Sequence, residues 1–519
     1  MQTSRPAWGA LLVAAAVLAP RAAADEARAP GPAYLVYAGP YSSSPSSAFG
    51  HLFLVLADDP RDPPPLWKVV TFNAVTFDVD EVRYLTIGIL GGFLGRFDRF
   101  AFHQKTREYE VLDDRDLWLL ELRLDPAQRA RLDLAIARGV QRWAPYSFFQ
   151  RNCAYYLQAA LAEATDAIPG PSGLVSPTGV FALLEASPLA GAAYHRPSAS
   201  SRIAGLAAAV DPAFTAGLQR TDWQVLAADP AWISGLSSAE RRLARELFAL
   251  RSLQTATLLS PAVRAGLARL RLLEVESAAT DGETPTPDGE PAADQGAGLP
   301  VPAPVFHQYS RFRLQYAPRP GTSGRIHLAF RAAMHDETEP WLGQQPASTM
   351  ELLGLELSSP SSRLAPRLES AVLFSQRSLR PADWTARRPS WLLEVVGQRG
   401  GVYGPAATHL LARAGVGGTA QLPGGTYAHA LVTVAAVGAL REHAGLAPGI
   451  ELGFVARASR GWRLGGTFTR EHDLLAWGRH DQRLRLWTRL DVGARWAAVV
   501  TADLVHAAST VRLGVDWYP

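Results

Sequence analysis

The chain has 519 residues, with 51 Lys and Arg against 48 Asp and Glu and a formal net charge of +3. The basic residues are scattered rather than clustered, which excludes a nucleic-acid-binding surface, and the length allows two or three domains. Cys153 is the only cysteine, which excludes a disulfide framework and leaves one thiol to be explained.

The first residues, MQTSRPAWGALLVAAAVLAPRAAAD, carry Arg5, an apolar run from Trp8 to Ala19, and Ala22, Ala23 and Ala24 before Asp25. That is the layout of a secretory signal peptide, residues 1–24. The run is too short and Ala-rich to span a bilayer, and no cysteine follows the small residues, so a lipid-anchored amino terminus is excluded. In an exported chain a lone thiol is either a reactive group or a small buried hydrophobe.

Residues 25–170 mix strands and helices. AYLVYAGP and FGHLFLVLAD are short apolar runs closed by Gly, Pro or Asp, the pattern of strands buried on both faces. LWKVVTFNAV reads as a third strand, and YEVLDD and LWLLELRL as two more. LDPAQRARLDLAIARGVQRW opens a helix with Asp125 as N-cap and Pro126 at its first position, and aligns Leu132, Ile136, Val140 and Trp143 on one stripe. In YSFFQRNCAYYLQAAL, Asn152 is a good cap and Cys153, Leu157 and Leu161 recur every four positions, so a helix starts at the cysteine. A thiol in the first turn of a helix feels the positive end of the macrodipole and nearby backbone N–H groups, which favour the thiolate. Those groups can also hold an oxyanion on a bound acyl group.

A nucleophilic thiol needs a base. His103 lies among charges and reads as solvated. His195, in GAAYHRPSAS, reads as a surface-loop residue. His51 lies in the apolar strand FGHLFLVL, where an imidazole costs free energy unless hydrogen-bonded. Cys153 and His51 therefore form the minimal thiol-catalysis set, and the aromatic cluster around the thiol, with Tyr146, Phe149 and Tyr155 as substrate-binding candidates, would line an apolar cleft. The glycines of GILGGFLG lack the lysine and helix of a phosphate loop, and no cofactor or metal ligand cluster is expected.

YAGPYSSSPSSAFGHLFLVL, TFNAVTFD, GGFLGRF and YSFFQRNCAYYL resemble, in order and spacing, the Lnb N-terminal periplasmic domain family of bacterial envelope proteins, over residues 33–165. The resemblance implies a circularly permuted NlpC/papain-like fold, with Cys153 as nucleophile and His51 as base. Asn73, in TFNAV, stands where the family often has Asn-Phe-Gly and would orient the imidazole, although Ala74 and Val75 follow it here. The activity implied is acyl transfer through a cysteine thioester, from a phospholipid donor to an amine acceptor such as a lipoprotein. An NlpC-type peptidase or amidase, or a lipid hydrolase, would use the same pair. A non-enzymatic outer-membrane barrel with a binding domain is the contrasting class.

Residues 171–275 carry Leu and Ala at helical spacing with Arg and Glu between, a helical connector. Residues 276–304, almost without large apolar side chains, read as a disordered acidic linker or loop. From 305 to 519 the pattern has a two-residue period. In RLRLWTRLDVGAR, Leu484, Leu486, Leu490 and Val492 alternate with Arg483, Arg485, Arg489 and Asp491, and GIELGFVARAS, GRIHLAFRAAM and STVRLGVDWYP repeat the device. Apolar-out, polar-in strands of about ten residues with Trp and Tyr near their ends are the signature of an outer-membrane β-barrel, here of ten to twelve strands between Phe312 and Tyr518. The fold class is thus α+β followed by an antiparallel barrel. The location is the periplasm, with attachment to the outer membrane.

Overall fold

The computed structural model describes residues 30–41, 50–76, 83–84, 87–88, 91–148, 150–254, 259–280 and, apart from several short stretches between strands, 310–518. The expected signal peptide, most of the expected linker and Phe149 lie outside the described residues.

The amino-terminal domain is built on a seven-stranded sheet in the order β6-β4-β3-β2-β1-β5-β7. Its strands are β1 (Ala33–Ala38), β2 (His51–Leu56), β3 (Lys68–Val75), β4 (Phe93–Ala101), β5 (Leu117–Leu122), β6 (Ala144–Tyr146) and β7 (Ala190–Arg196). β1 and β2 lie at its centre, antiparallel, with Ala38 opposite His51. Both are buried on both faces, as their unbroken apolar runs require. On one face Leu52, Leu54, Val70 and Phe72 pack with helices α2 (Pro126–Val140), α3 (Cys153–Ala164) and α4 (Pro177–Glu185) through Ile136, Leu157, Leu161 and Phe181. On the other, Val36, Phe53, Val55 and Val69 pack with Phe102 and Tyr109.

Those last two residues correct the reading of YEVLDD as a strand. Residues 102–112 form a helix, α1, that starts at Phe102 and widens to a π-helical turn over Arg107–Leu112. Lys105 and Glu108 pair one turn apart. Burial of Tyr109 against Phe53, with ring centroids 5.4 Å apart, outweighs the weak local preference of a short apolar run. His195 is also displaced from the surface loop expected of it. It lies on β7, opposite Trp118, with Nε2 3.0 Å from the Asp116 carboxylate.

Six helices follow: α5 (Ala199–Ala208), α6 (Pro212–Arg220), α7 (Trp223–Ala227), α8 (Pro230–Gly235), α9 (Ser238–Gln254) and α10 (Pro261–Thr280). They share a core of their own around Trp223, Ile233, Leu243, Leu247 and Phe248. Arg202 joins them to the sheet domain by bridging Glu110 and Glu246. α10 runs over the first five residues of the expected linker.

Residues 311–517 form a closed antiparallel barrel of twelve strands. In chain order these are β8 (Arg311–Ala317), β9 (Arg325–His335), β10 (Thr349–Pro360), β11 (Arg367–Ser378), β12 (Ser390–Arg399), β13 (Thr408–Leu422), β14 (Thr426–Ala439), β15 (Glu442–Arg457), β16 (Trp462–His472), β17 (His480–Asp491), β18 (Trp496–Val505) and β19 (Ala508–Trp517). The last strand pairs with the first, Trp517 opposite Phe312.

Alternation decides which side chains enter the lumen. Ile450 and Leu452 are exposed on the outer wall, whereas Glu451 between them is fully buried. It meets Arg377, Arg413 and His429. Asp516, also fully buried, accepts from Arg313 at 2.6 Å and from Arg489 at 2.9 Å. A water-facing barrel would place Leu314, Leu328, Val432 and Leu513, all exposed, against solvent, an apolar surface far larger than soluble monomers carry. In hydrocarbon the same wall is favourable, and closure leaves no sheet edge unsatisfied. Phe330, Phe312, Trp517 and Trp496 form a row across adjacent strands, with centroid separations of 4.8, 5.4 and 6.2 Å, as in an interfacial aromatic girdle. Among the described residues no helix is long and apolar enough to cross a membrane.

Candidate active site

The site is assembled where α3 meets the start of β2. Asn152 caps α3 by accepting from Tyr155 N–H at 3.1 Å, and its amide donates to the carbonyls of Phe148 (3.0 Å) and Val175 (2.7 Å). Asn152 therefore fixes both the helix start and the chain on either side of it, and Cys153 emerges as the first helical residue, 3% exposed. At the other partner, Gly50 has φ +83°, and a Cβ there would overlap the Tyr37 ring. Only glycine lets the chain turn into β2 at that point with Tyr37 packed against it.

His51 opens β2 and is only partly buried. Its Nε2 is 2.7 Å from Thr71 Oγ1. That hydroxyl lies 3.2 Å from Asn73 Oδ1, and Asn73 Nδ2 donates to Asp98 at 3.3 Å. Asn73, expected beside the ring, is thus one step removed. Thr71, fully buried on β3, is the residue that touches it. The Thr71 hydroxyl donates its proton to Asn73 Oδ1 and so meets His51 by accepting from Nε2–H, which fixes the orientation of the ring. Thr71 and Asn73 share a strand face two residues apart, the signal by which Thr71 could have been found.

Both groups lie by the start of β2: the imidazole stacks beside Phe53 and Tyr109 on one face of the sheet, and Cys153 packs with Leu52 and Leu157 on the other. The backbone N–H groups of Leu52, the residue after His51, of Ala154 and of Cys153 itself favour the Cys153 thiolate. The Tyr109 ring lies over His51 with centroids 6.1 Å apart. Among the described residues no hydrogen bond joins the sulfur to His51, whose Nε2 is held by Thr71.

Burial sets the protonation of both groups. It pushes the Cys153 thiol up to about 11, against the opposite pull of the three N–H groups and of Arg115. It lowers His51 to about 3, with the positive charges of Arg115 and Lys105 acting in the same direction. The expectation of a depressed thiol is therefore overturned: the helix terminus acts as expected, but loss of solvation outweighs it. At neutral pH the resting pair is thiol and neutral imidazole.

Arg115 was not singled out by the sequence. It is buried, donates through Nε to Gly39 O (2.5 Å) and Nη2 to Ala38 O (3.1 Å), and stacks its guanidinium on Tyr109 at 4.7 Å. Of the expected cleft residues, Tyr146 is buried and is itself raised by burial and by the nearby Cys153. Tyr155 is half-buried and packs on Tyr156, whose ring stacks on Phe72 at 3.8 Å. Among the described residues no cluster of His, Cys, Asp and Glu is arranged to hold a metal ion.

Residues 22–184 match the family described as the Lnb N-terminal periplasmic domain. The amino-terminal domain is an Lnb periplasmic domain. Residues 306–518 match a second family, described as a domain of unknown function (DUF7840). No curated protein matches the chain. Among solved structures, the KdgM porin is 7% identical with a TM-score of 0.26, covering 40% of this chain and 99% of its own. OmpT of Vibrio cholerae is 7% identical (TM-score 0.22, 40% and 95%), and LpxR from Salmonella typhimurium 10% identical (0.23, 40% and 100%). At these scores such likenesses say nothing of activity. The Lnb domain and the geometry of the barrel wall together place the protein in the envelope, with the Lnb domain in the periplasm and the barrel in the outer membrane.

Proposed function

We propose that the Lnb domain is a thiol acyltransferase that takes an acyl chain from a phospholipid onto Cys153 and passes it to an amine acceptor such as a lipoprotein. The observation that carries this reading is the chain's only cysteine, set as the first residue of a capped helix against the end of the strand that begins with His51. The barrel holds that site next to its lipid.

The resting pair is neutral, so the thiol proton moves to His51 as sulfur attacks the ester carbonyl, rather than beforehand. Thr71 holds the ring so that one nitrogen is engaged and the other is left to work. Negative charge developing on the carbonyl oxygen is met by N–H groups at the start of α3. The lyso-lipid alkoxide leaves with the proton from imidazolium, and a thioester remains on Cys153. The acceptor amine then attacks the thioester, giving up its proton to His51, and the thiol is restored as the amide forms. Burial of the sulfur keeps water, the competing acceptor, away, and Tyr146 and Tyr155 supply apolar surface for the chain.

The test is partition of product. Purified protein is given labelled phospholipid and a diacylated lipopeptide, and label is counted in amide and in free fatty acid. Amide is expected. Free acid alone would make the protein a lipid hydrolase, and neither product would remove lipid chemistry.

A further inference from the structure

The barrel reaches into the Lnb domain through a side chain that belongs to none of its strands. Arg380, in the connection between β11 and β12, is buried. Its guanidinium lies 5.2 Å from the centre of the Tyr41 ring, and its Nη2 donates to the Asp113 carbonyl at 3.3 Å. Its own backbone is pinned to the barrel. The Arg380 carbonyl accepts from Ser390 Oγ at 3.3 Å, Ser390 Oγ lies 2.8 Å from Thr419 Oγ1, and Pro381 bridges to Thr419.

What Arg380 holds leads to the thiol. Asp113 begins a tight turn in which Asp114 has φ +58°, a left-handed conformation that a non-glycine residue keeps only when its surroundings impose it. The turn delivers Arg115, whose Nη1 lies 3.4 Å from the Asp113 carboxylate. Arg115 in turn grips the carbonyls of Ala38 and Gly39, and Ala38 is the residue paired with His51. A second route runs through rings, from the Arg115 guanidinium to Tyr109 and from Tyr109 to His51.

We propose that Arg380 is a positioning residue: held to the barrel just beyond β11, it locks the turn that carries Arg115, and through it sets the His51 end of β2 and the reactivity of Cys153. Its catalytic meaning rests on the acyl-transfer reading, but the contact itself does not. The site would be fully formed only when the Lnb domain is docked on a folded barrel, which ties the chemistry to the membrane.

Cys153 is the only cysteine, so its alkylation by monobromobimane reports the site without any assumption about substrate. The full chain in detergent micelles is compared with Arg380→Ala, Arg380→Lys and Tyr41→Leu, and with Arg363→Ala in the β10–β11 turn at the opposite end of the barrel. Barrel integrity is read from heat-modifiable migration. Couplings of this kind modulate a distant group by roughly two- to thirtyfold. Arg380→Ala is expected to slow labelling within that range, Tyr41→Leu to slow it less, Arg380→Lys to recover part of the loss, and Arg363→Ala to change nothing. Should Arg380→Ala not fold, Tyr41→Leu and Arg380→Lys carry the test. Labelling that is unchanged or faster in the Arg380 and Tyr41 variants, or slowed equally by Arg363→Ala, overturns the proposal. A protein that transfers no acyl group but shows the expected labelling order refutes acyl transfer and leaves the positioning role standing.

Discussion

The most distinctive consequence of this site is that its one cysteine rests as a neutral thiol. Burial raises Cys153 from 9.0 to about 11. A two-unit rise lowers the thiolate fraction near neutrality about a hundredfold, each unit being about 1.4 kcal/mol. Because thiolate is the species that alkylates, the rate of Cys153 alkylation by iodoacetamide should climb about tenfold per pH unit through the range from about 7 to 10 and level only near 11. The absence of any other cysteine makes whole-protein mass spectrometry a sufficient assay. His51→Ala should leave the midpoint high, since the imidazole is neutral in the resting state and contributes no charge to remove. A plateau reached by about pH 8, lost in His51→Ala, would mean that the pair rests as thiolate and imidazolium, and the argument from burial would be wrong.

Four further outcomes are expected. Thr71→Val keeps the volume of the side chain but strips His51 Nε2 of its partner, a cost of about 1–3 kcal/mol, so turnover should fall about five- to 150-fold, with Asn73→Ala milder. A larger effect of Asn73→Ala would show that Asn73 contacts the ring in the working enzyme. Gly50→Ala forces a side chain into a left-handed backbone and onto Tyr37, and should cost about 1–3 kcal/mol or more of Lnb-domain stability, read by thermal unfolding. The raised Cys153 stabilises the fold fully below its unfolded pKa of 9.0, and that contribution is lost as pH rises from 9.0 to about 11; chemical denaturation should show a loss approaching 3 kcal/mol across this window, absent in Cys153→Ala. Glu451→Gln removes the carboxylate shared by Arg377, Arg413 and His429 in the lumen; because Arg413 keeps Glu394 and Glu471, the loss should stay below the roughly 3–5 kcal/mol of a buried charge left without a partner, and the heat-modifiable band should disappear at lower temperature.

Local patterns were readable wherever local forces decide. The cap at Asn152 and the four-residue spacing from Cys153 to Leu161 define α3 before any tertiary contact is known. The strict alternation of Arg485, Leu486, Arg489, Leu490 and Asp491 states which face of β17 is wet. Contacts between distant segments were not readable. Thr71 looks like any strand threonine until β2 and β3 pair and bring its hydroxyl to His51. Arg115 is one arginine among many until the turn after α1 aims it at the ends of β1. YEVLDD reads as a strand because its short apolar run carries no period, and only Phe53 beneath it explains why Tyr109 is buried from a helix. The thiol's protonation depends on tertiary burial in the same way. A helix terminus is visible in sequence, but the depth at which it is buried depends on the sheet, the helices and the rings packed over it.

The central claim is that Cys153 carries the acyl group. The direct measurement is mass spectrometry of the purified full-length protein after exposure to a phospholipid of defined chain length, followed by peptide mapping. The expected result is the mass of that acyl chain on the Cys153 peptide, removable by hydroxylamine and absent in Cys153→Ala. An unmodified Cys153 while lyso-lipid and acylated product accumulate would contradict the account.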